Sequence, residues 1–478
     1  MELTTMLHTT PKTMNNAPRA WLLVLAGALA GCASTGSPPT PQTPAPQALL
    51  LPSAWSVSTP ARSPDATDSL AQWWQRFNDP LLSRLVAQAL QANTSVRTAQ
   101  AALQQARALR DVKRAAMLPG VSASTSAQSN QTNANNPVNN FQAGLDASWE
   151  PDIFGGQRSA LSATEADAQA AQASLGDVQV SIAAEVALAY IQLRGQQMQL
   201  AIARNNLASQ QETLQLTDWR AQAGLATSLE VEQARAASEQ TGAQIPGLQA
   251  SIAQTRHSLA VLTGQAPDAL QALLEPVAAL PQVAQDLALD IPAHTLRQRP
   301  DVRAAEHRIS AALARVSAAD AARYPSFSIR GSVGLSALTL GALGNGATVL
   351  NSLLASISVP LFDGGANQAQ LEAQQAALEQ ARVGYQAVVL TALKDVEDAL
   401  VALSGDRARL LKLQNAAEAA RNADLLAQQR FSSGLIDFQT VLQTQRTLLT
   451  AQDSVASASA SISADHVRLY KALGGGWD

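Results

Sequence analysis

One cysteine, five histidines and a thin scatter of charge are all that this chain offers for covalent or metal chemistry. A single thiol excludes a disulfide framework and a multi-thiolate metal site. His8, His257, His294, His307 and His466 form no HExxH pair, and there is no GxSxG elbow and no Walker A loop, so hydrolytic and nucleotide chemistry lack a constellation. The glycine-rich run from Gly341 to Gly346 lacks the framing strand and helix of a phosphate cradle and reads as a loop. The expectation is no enzyme, no metal and no cofactor. Cys32 is the exception. Lys12 and Arg19 precede an apolar run from Ala20 to Ala30, and Leu29, Ala30 and Gly31 lead directly into the cysteine. The run is too short to cross ~30 Å of hydrocarbon as a helix and has the layout of a secretory signal. The chemistry it points to is acylation: an S-diacylglycerol thioether on Cys32 and, after cleavage, an N-palmitoyl group on the freed amine. Met14 is an alternative start.

Charge is nearly balanced, with 33 Lys and Arg against 37 Asp and Glu, which removes the basic surface that nucleic-acid binders need. Only 15% of residues are charged and 4% aromatic, a poor endowment for several compact globular cores. Ala, Gln, Ser and Leu dominate instead, which suits long helices packed through small side chains.

The elements repeat. Shifting the chain on itself by about 206 to 210 residues aligns Met117-Leu118-Pro119 with Arg323-Tyr324-Pro325, and Pro151-Asp152-Ile153-Phe154-Gly155-Gly156 with Pro360-Leu361-Phe362-Asp363-Gly364-Gly365. It also aligns Ala223-Gly224-Leu225 with Ser433-Gly434-Leu435. Each copy reads as helix, two strands, very long helix, tight loop, helix. Val186, Leu193, Leu200, Leu207 and Leu214 recur every seven residues, as do Val389, Val396, Leu403 and Leu410, a coiled-coil periodicity. The helices predicted over about 157–216 and 366–429 are some 60 residues long, roughly 90 Å each. The expected organisation is a signal peptide (1–31), a lipidated tether (32–67), a first repeat (68–264, strands about 119–129 and 141–151), a linker (265–292) with no element of its own, a second repeat (293–474, strands about 325–336 and 351–361) and a short tail (475–478).

The four predicted strands alternate apolar and polar side chains, as in Phe141, Ala143, Leu145, Ala147 and Trp149 against Gln142, Gly144, Asp146 and Ser148. Each is about 9 to 11 residues, enough for a tilted strand to cross a bilayer. Open sheet edges are not tolerated in lipid and single-chain bacterial barrels have about 8 strands or more, so four strands must be pooled with other copies. Three copies supply 12. The expected fold is mainly α with a transmembrane β part whose strands are pooled with those of other copies.

Trp149-Glu150-Pro151-Asp152-Ile153-Phe154-Gly155, Arg299-Pro300-Asp301-Val302-Arg303-Ala304-Ala305-Glu306, Tyr324-Pro325-Ser326 and Pro360-Leu361-Phe362-Asp363-Gly364-Gly365 together resemble the TolC-like outer membrane factors, in particular the NodT-type lipoproteins. The resemblance covers about residues 68–474 and implies a homotrimer forming a 12-stranded outer-membrane β-barrel, four strands per chain, continued by a long periplasmic α-helical barrel. It implies a passive exit duct for drugs or other small molecules, fed by an inner-membrane resistance-nodulation-division transporter through a periplasmic membrane fusion (adaptor) protein. Type I protein secretion is the alternative within export; a lipid-anchored trimeric structural or adhesive protein is the rival from another class.

By the same resemblance, Arg220, Gly224, Leu225 and Arg235, and Arg430, Gly434, Leu435 and Arg446, belong to two periplasmic tips that touch the adaptor. Acidic residues just beyond the second tip narrow the entrance of related tunnels, but here those positions are Thr440 and Gln443, with Asp437 the nearest acid. Glu230, in the first tip, is the expected latch carboxylate, with Arg430 as its partner. The entrance is therefore expected to carry a weak acidic ring and a weak latch, each solvated ion pair contributing about 0–1 kcal/mol.

Overall fold

The computed structural model describes residues 54–56, 72–131, 137–283 and 296–475. Cys32, His8, His294 and the leader lie outside the described residues. Helices α1 (Pro80–Ala92) and α2 (Thr94–Ala115) lead into strands β1 (Gly120–Asn130) and β2 (Val138–Trp149), and the chain then runs down α3 (Gly156–Gln222) and returns through α4 (Ser228–Gly242) and α5 (Gln244–Leu262). After a one-turn helix, α6 (Gln271–Leu274), the plan recurs: α7 (Pro300–Ala321), β3 (Ser326–Ala337), β4 (Thr348–Ser358), α8 (Ala366–Ser432) and α9 (Phe438–Ala472). α6 is a departure from the elementless linker expected between the repeats. That stretch is pinned rather than free: Arg194 Nη1 donates to the Pro276 carbonyl at 2.7 Å, Gln197 Nε2 to the Leu274 carbonyl and Ser463 Oγ to the Pro281 carbonyl.

The two long helices have 67 residues each, about 100 Å of rise. Both begin at an aspartate that satisfies orphan N–H groups of the first turn. Asp152 accepts from the Gln157 and Arg158 amides at 3.1 and 2.8 Å, and Asp363 from those of Gly365 and Asn367 at 2.9 Å each. These bonds hold the Asp363 carboxyl below its ordinary range. The aspartate follows Pro151 by one residue and Pro360 by three, so the repeat preserves the helix cap and not its position.

The sheet is antiparallel, ordered β1-β2-β3-β4, so both outer strands have an open edge. β2 begins three residues before the expected boundary, at Val138, whose partner is Asn130. At the end joining the helices, Trp149 Nε1 donates to the Met117 carbonyl at 3.1 Å and Phe154 stacks on Tyr324 with ring centroids 5.1 Å apart.

The main core sits between sheet and tips. Trp73, Phe77, Leu82, Leu85, Tyr190, Ile191, Leu259 and Tyr470 are buried together, Trp73 stacking on Tyr470 at 5.3 Å. Here α3 is enclosed on nearly every side, from Val180 through Leu193. Below, it keeps a narrower seam, Ala203, Asn206, Gln210 and Thr217, while Leu200, Leu207 and Leu214 are only half-buried. The leucine heptad is therefore not the only seam of α3: small and polar residues face α9, where Asn206 Nδ2 donates to Gln452 and Gln445 Nε2 to Thr213. Close approach needs small residues; a Cβ on Gly195 would lie 3.1 Å from the Ala460 Cβ.

Candidate functional site: the two helical tips and the polar sheet face

The far ends of the long helices are built alike. α3 closes with Gly224 at φ +76°, the Gly224 amide donating to the Ala221 carbonyl and the Leu225 amide to the Arg220 carbonyl at 2.7 Å. α8 closes with Gly434 at φ +74°, with the Leu435 amide on the Arg430 carbonyl at 2.9 Å. The left-handed glycine and the bond reaching back five residues are the Schellman ending, which turns a chain abruptly and exposes the residue after the glycine. Leu225 and Leu435 are 72% and 73% exposed.

Acidic side chains at the tips are already employed. Thr227 caps α4 and Glu230 completes a capping box, its carboxylate accepting from the Thr227 amide at 2.6 Å. Glu230 is thus engaged by its own helix start, and the expected latch to Arg430 is not formed among the described residues. Asp437 caps α9 by accepting from the Thr440 amide and hydroxyl at 2.8 and 2.7 Å, which keeps its carboxyl below the ordinary range. Gln443 is exposed one turn further on. Arg235 pairs with Glu232 on its own helix at 3.0 Å, while Arg430 and Arg446 are exposed.

Arg220 binds the two tips together. Its Nη1 donates to the Phe431 carbonyl at 2.9 Å and its guanidinium lies 4.5 Å above the Phe431 ring. Beneath it Phe431, Phe438, Val441, Leu442, Ala234 and Ala237 form a small core. The corresponding first-tip residues, 210 positions earlier, are Ala221 and Ser228. A third feature lies two turns above: Asp424, 7% exposed, accepts from Gln428 Nε2 at 2.8 Å and Thr444 Oγ1 at 3.3 Å, and burial pushes its carboxyl up. Sequence reasoning missed both. A signal existed, since Ala417, Ala420, Asp424, Ala427 and Phe431 alternate steps of three and four and all are buried.

The acidic stretch of α8 is partnered: Asp395 accepts from Arg299, Asp398 from Lys394, and Glu397 takes the Ser56 amide at 3.1 Å and the Ser56 hydroxyl. Arg299, 7% exposed, also donates to both Asp301 oxygens and to the Ala472 carbonyl at 2.6 Å, joining the start of the second repeat to the end of α9. Burial opposes the charge of Arg299, yet Asp301 and Asp395 hold its pKa above the ordinary value.

In the sheet, register places even-numbered residues of all four strands on one face and odd-numbered ones on the other. The even face carries hydrogen-bonded hydroxyls, including Ser328 with Ser356 and Ser332 with Ser352 at 2.8 Å each. The odd face carries Val121, Leu145, Trp149, Ile329, Val333, Leu353 and Ile357, all exposed. A sheet with one apolar and one polar face, two open edges and helices of about 100 Å leading to exposed tips defines a membrane-inserted duct.

The outer membrane efflux protein model matches residues 85–265 and 291–475. Outer membrane protein OprJ of Pseudomonas aeruginosa is 31% identical over 464 residues, 95% of each chain, and the pyoverdine export outer membrane protein OpmQ of the same organism is 32% identical over 91% of this chain and 94% of its own. The solved outer-membrane channel OprN superposes with a TM-score of 0.81 at 36% identity, covering 90% of this chain and 99% of that one. The chain belongs to the outer membrane efflux protein family. It is accordingly a passive channel of the Gram-negative outer membrane, not an enzyme, and its four strands are a third of a trimeric barrel continued by a periplasmic helical barrel.

Proposed function

We propose that the channel is the exit duct of a tripartite pump, receiving drugs or other small molecules from an inner-membrane resistance-nodulation-division transporter through a periplasmic adaptor. The observation that carries this reading is the pair of matched tips, each presenting a bare leucine, Leu225 and Leu435, on a rigid Schellman turn. Two equivalent apolar knobs at the free ends of the helices suit a partner that grips from the periplasm. Arg220, Gly224, Leu225 and Arg235, with Arg430, Gly434, Leu435 and Arg446, form the contacting set. Thr440 and Gln443 leave the entrance without a strong acidic ring, and Glu230 and Asp437 serve the helix starts. Cys32 carries the lipid that holds the tether in the membrane.

Deleting the gene and measuring dye and drug accumulation tests the assignment: accumulation should rise. Unchanged accumulation with loss of a secreted protein would move the reading to type I secretion. Externally added thiol reagent should label a Gly344→Cys variant on whole cells and leave Ser433→Cys unlabelled; labelling of both would favour an adhesive or structural trimer. Weak periplasmic block by multivalent cations is expected, and strong block would contradict the uncharged entrance.

A further inference from the structure

The polar face of the sheet carries charge at two positions only, Asp146 on β2 and Arg330 on β3. Both are exposed. Asp146 stands opposite Ser332 and Arg330 opposite Ser148, so the two are diagonal neighbours on adjacent strands. They lie near the end that joins the helices, since Ser148 pairs with Gly120, the first residue of β1, and each strand residue rises only about 3.3 Å. Asp146 accepts from Ser124 Oγ at 2.8 Å, which fixes its carboxylate on the polar face. Neither side chain can point at lipid, because the odd face is apolar and a charge there is costly. Everything else on the even face is hydroxyl, amide, glycine or the occasional aliphatic side chain, such as Leu354 opposite Arg330.

We propose that Asp146 and Arg330 form a charge-balanced belt at the inner mouth of the barrel and determine which solutes the barrel passes. In the trimer the belt alternates three carboxylates with three guanidinium groups, a net charge of zero around a hydroxyl-lined wall. Such a ring neither repels nor concentrates ions of one sign, and offers complementary contacts to zwitterions and to amphipathic solutes of either charge. Removing one sign leaves three like charges in a confined aqueous space, where the field is focused.

Reversal potentials of purified channels in planar bilayers under a salt gradient test this. Arg330→Ser should raise the cation-to-anion permeability ratio by about threefold or more, Asp146→Ser should lower it by a similar factor, and the double variant should return to the parent value. Both shifts should shrink towards 1 M salt, where the screening length is about 3 Å. Trimer retention on unheated gels shows that each variant is assembled; Arg330→Lys, which keeps the charge, should conduct as the parent does. The belt is refuted if assembled single variants keep the parent ratio, or if both shift it in one direction. An assembled parent protein that conducts nothing would instead overturn the channel reading on which the belt rests.

Discussion

Asp424 and Arg299 are buried charges with opposite prospects. The Asp424 carboxylate has only neutral donors, Gln428 and Thr444, to offset its desolvation. Its pKa is raised from 3.8 by burial, so the folded chain holds the proton more tightly than the unfolded one. Its contribution to stability is then fully present below the unfolded value and is lost as pH climbs from there through the raised folded value. Asp424→Asn keeps an acceptor without the charge. It should stabilise the lower part of α8 at neutral pH by about 1 kcal/mol, with the advantage disappearing at acid pH; thermal unfolding followed across pH checks both parts. Arg299 is the reverse case, because its donors are matched by Asp301, Asp395 and the Ala472 carbonyl. Arg299→Met should destabilise by about 3 kcal/mol, read as a lowered unfolding midpoint. The motif residues Arg299, Pro300 and Asp301 were legible in the sequence as a family mark, but their purpose was not, because the partner carbonyl lies 173 positions away.

Turns and long helices separate what patterning can reveal from what it cannot. Strand alternation was readable because a two-residue period survives along the whole strand, and the structure keeps the same odd and even faces through three pairings. The helices were legible in extent and poorly legible in packing. α3 passes from a middle enclosed on nearly every side to a one-sided seam, so its buried stripe changes width, and the regular leucines mask the seam of Asn206, Gln210 and Thr217. The same limit hid the Phe431 and Phe438 core, which depends on two hairpins meeting. At the turns, space decides the cost of a glycine substitution. Gly434 has positive φ, but a Cβ added there would meet nothing within 4 Å, whereas Gly474 has φ +87° and its added Cβ would meet the Arg299 Cα at 2.9 Å. Gly434→Ala should cost about 1 kcal/mol, and Gly474→Ala clearly more; hydrogen exchange at the ends of α8 and α9 would rank them.

Across the whole molecule, the tether is tied to the second repeat. Trp55 packs against the cluster of Val396, Ala399, Leu400 and Leu469, and Ser56 is bound to Glu397. Cys32 lies 23 positions before Trp55, at most about 80 Å of extended chain, so a lipid on Cys32, as proposed above, would have to enter the membrane within that reach of the Trp55 contact. Glu397→Ala should speed exchange of the Ser56 amide at least about tenfold, the loss of one charge-assisted bond, while Trp219→Ala at the remote tip should leave it unchanged. The paired tips carry a final consequence. Duplication within each of three chains places six hairpins around the entrance, nearly equivalent at Leu225 and Leu435 but not at Ala221 and Phe431 or at Leu214 and Asp424. The rim is hexagonal at its exposed leucines and triangular at the Phe431 core and Asp424. On the docking proposed above, a partner ring of six identical subunits would meet the same leucine at every corner, whereas the Phe431 and Asp424 packing recurs only at alternate corners.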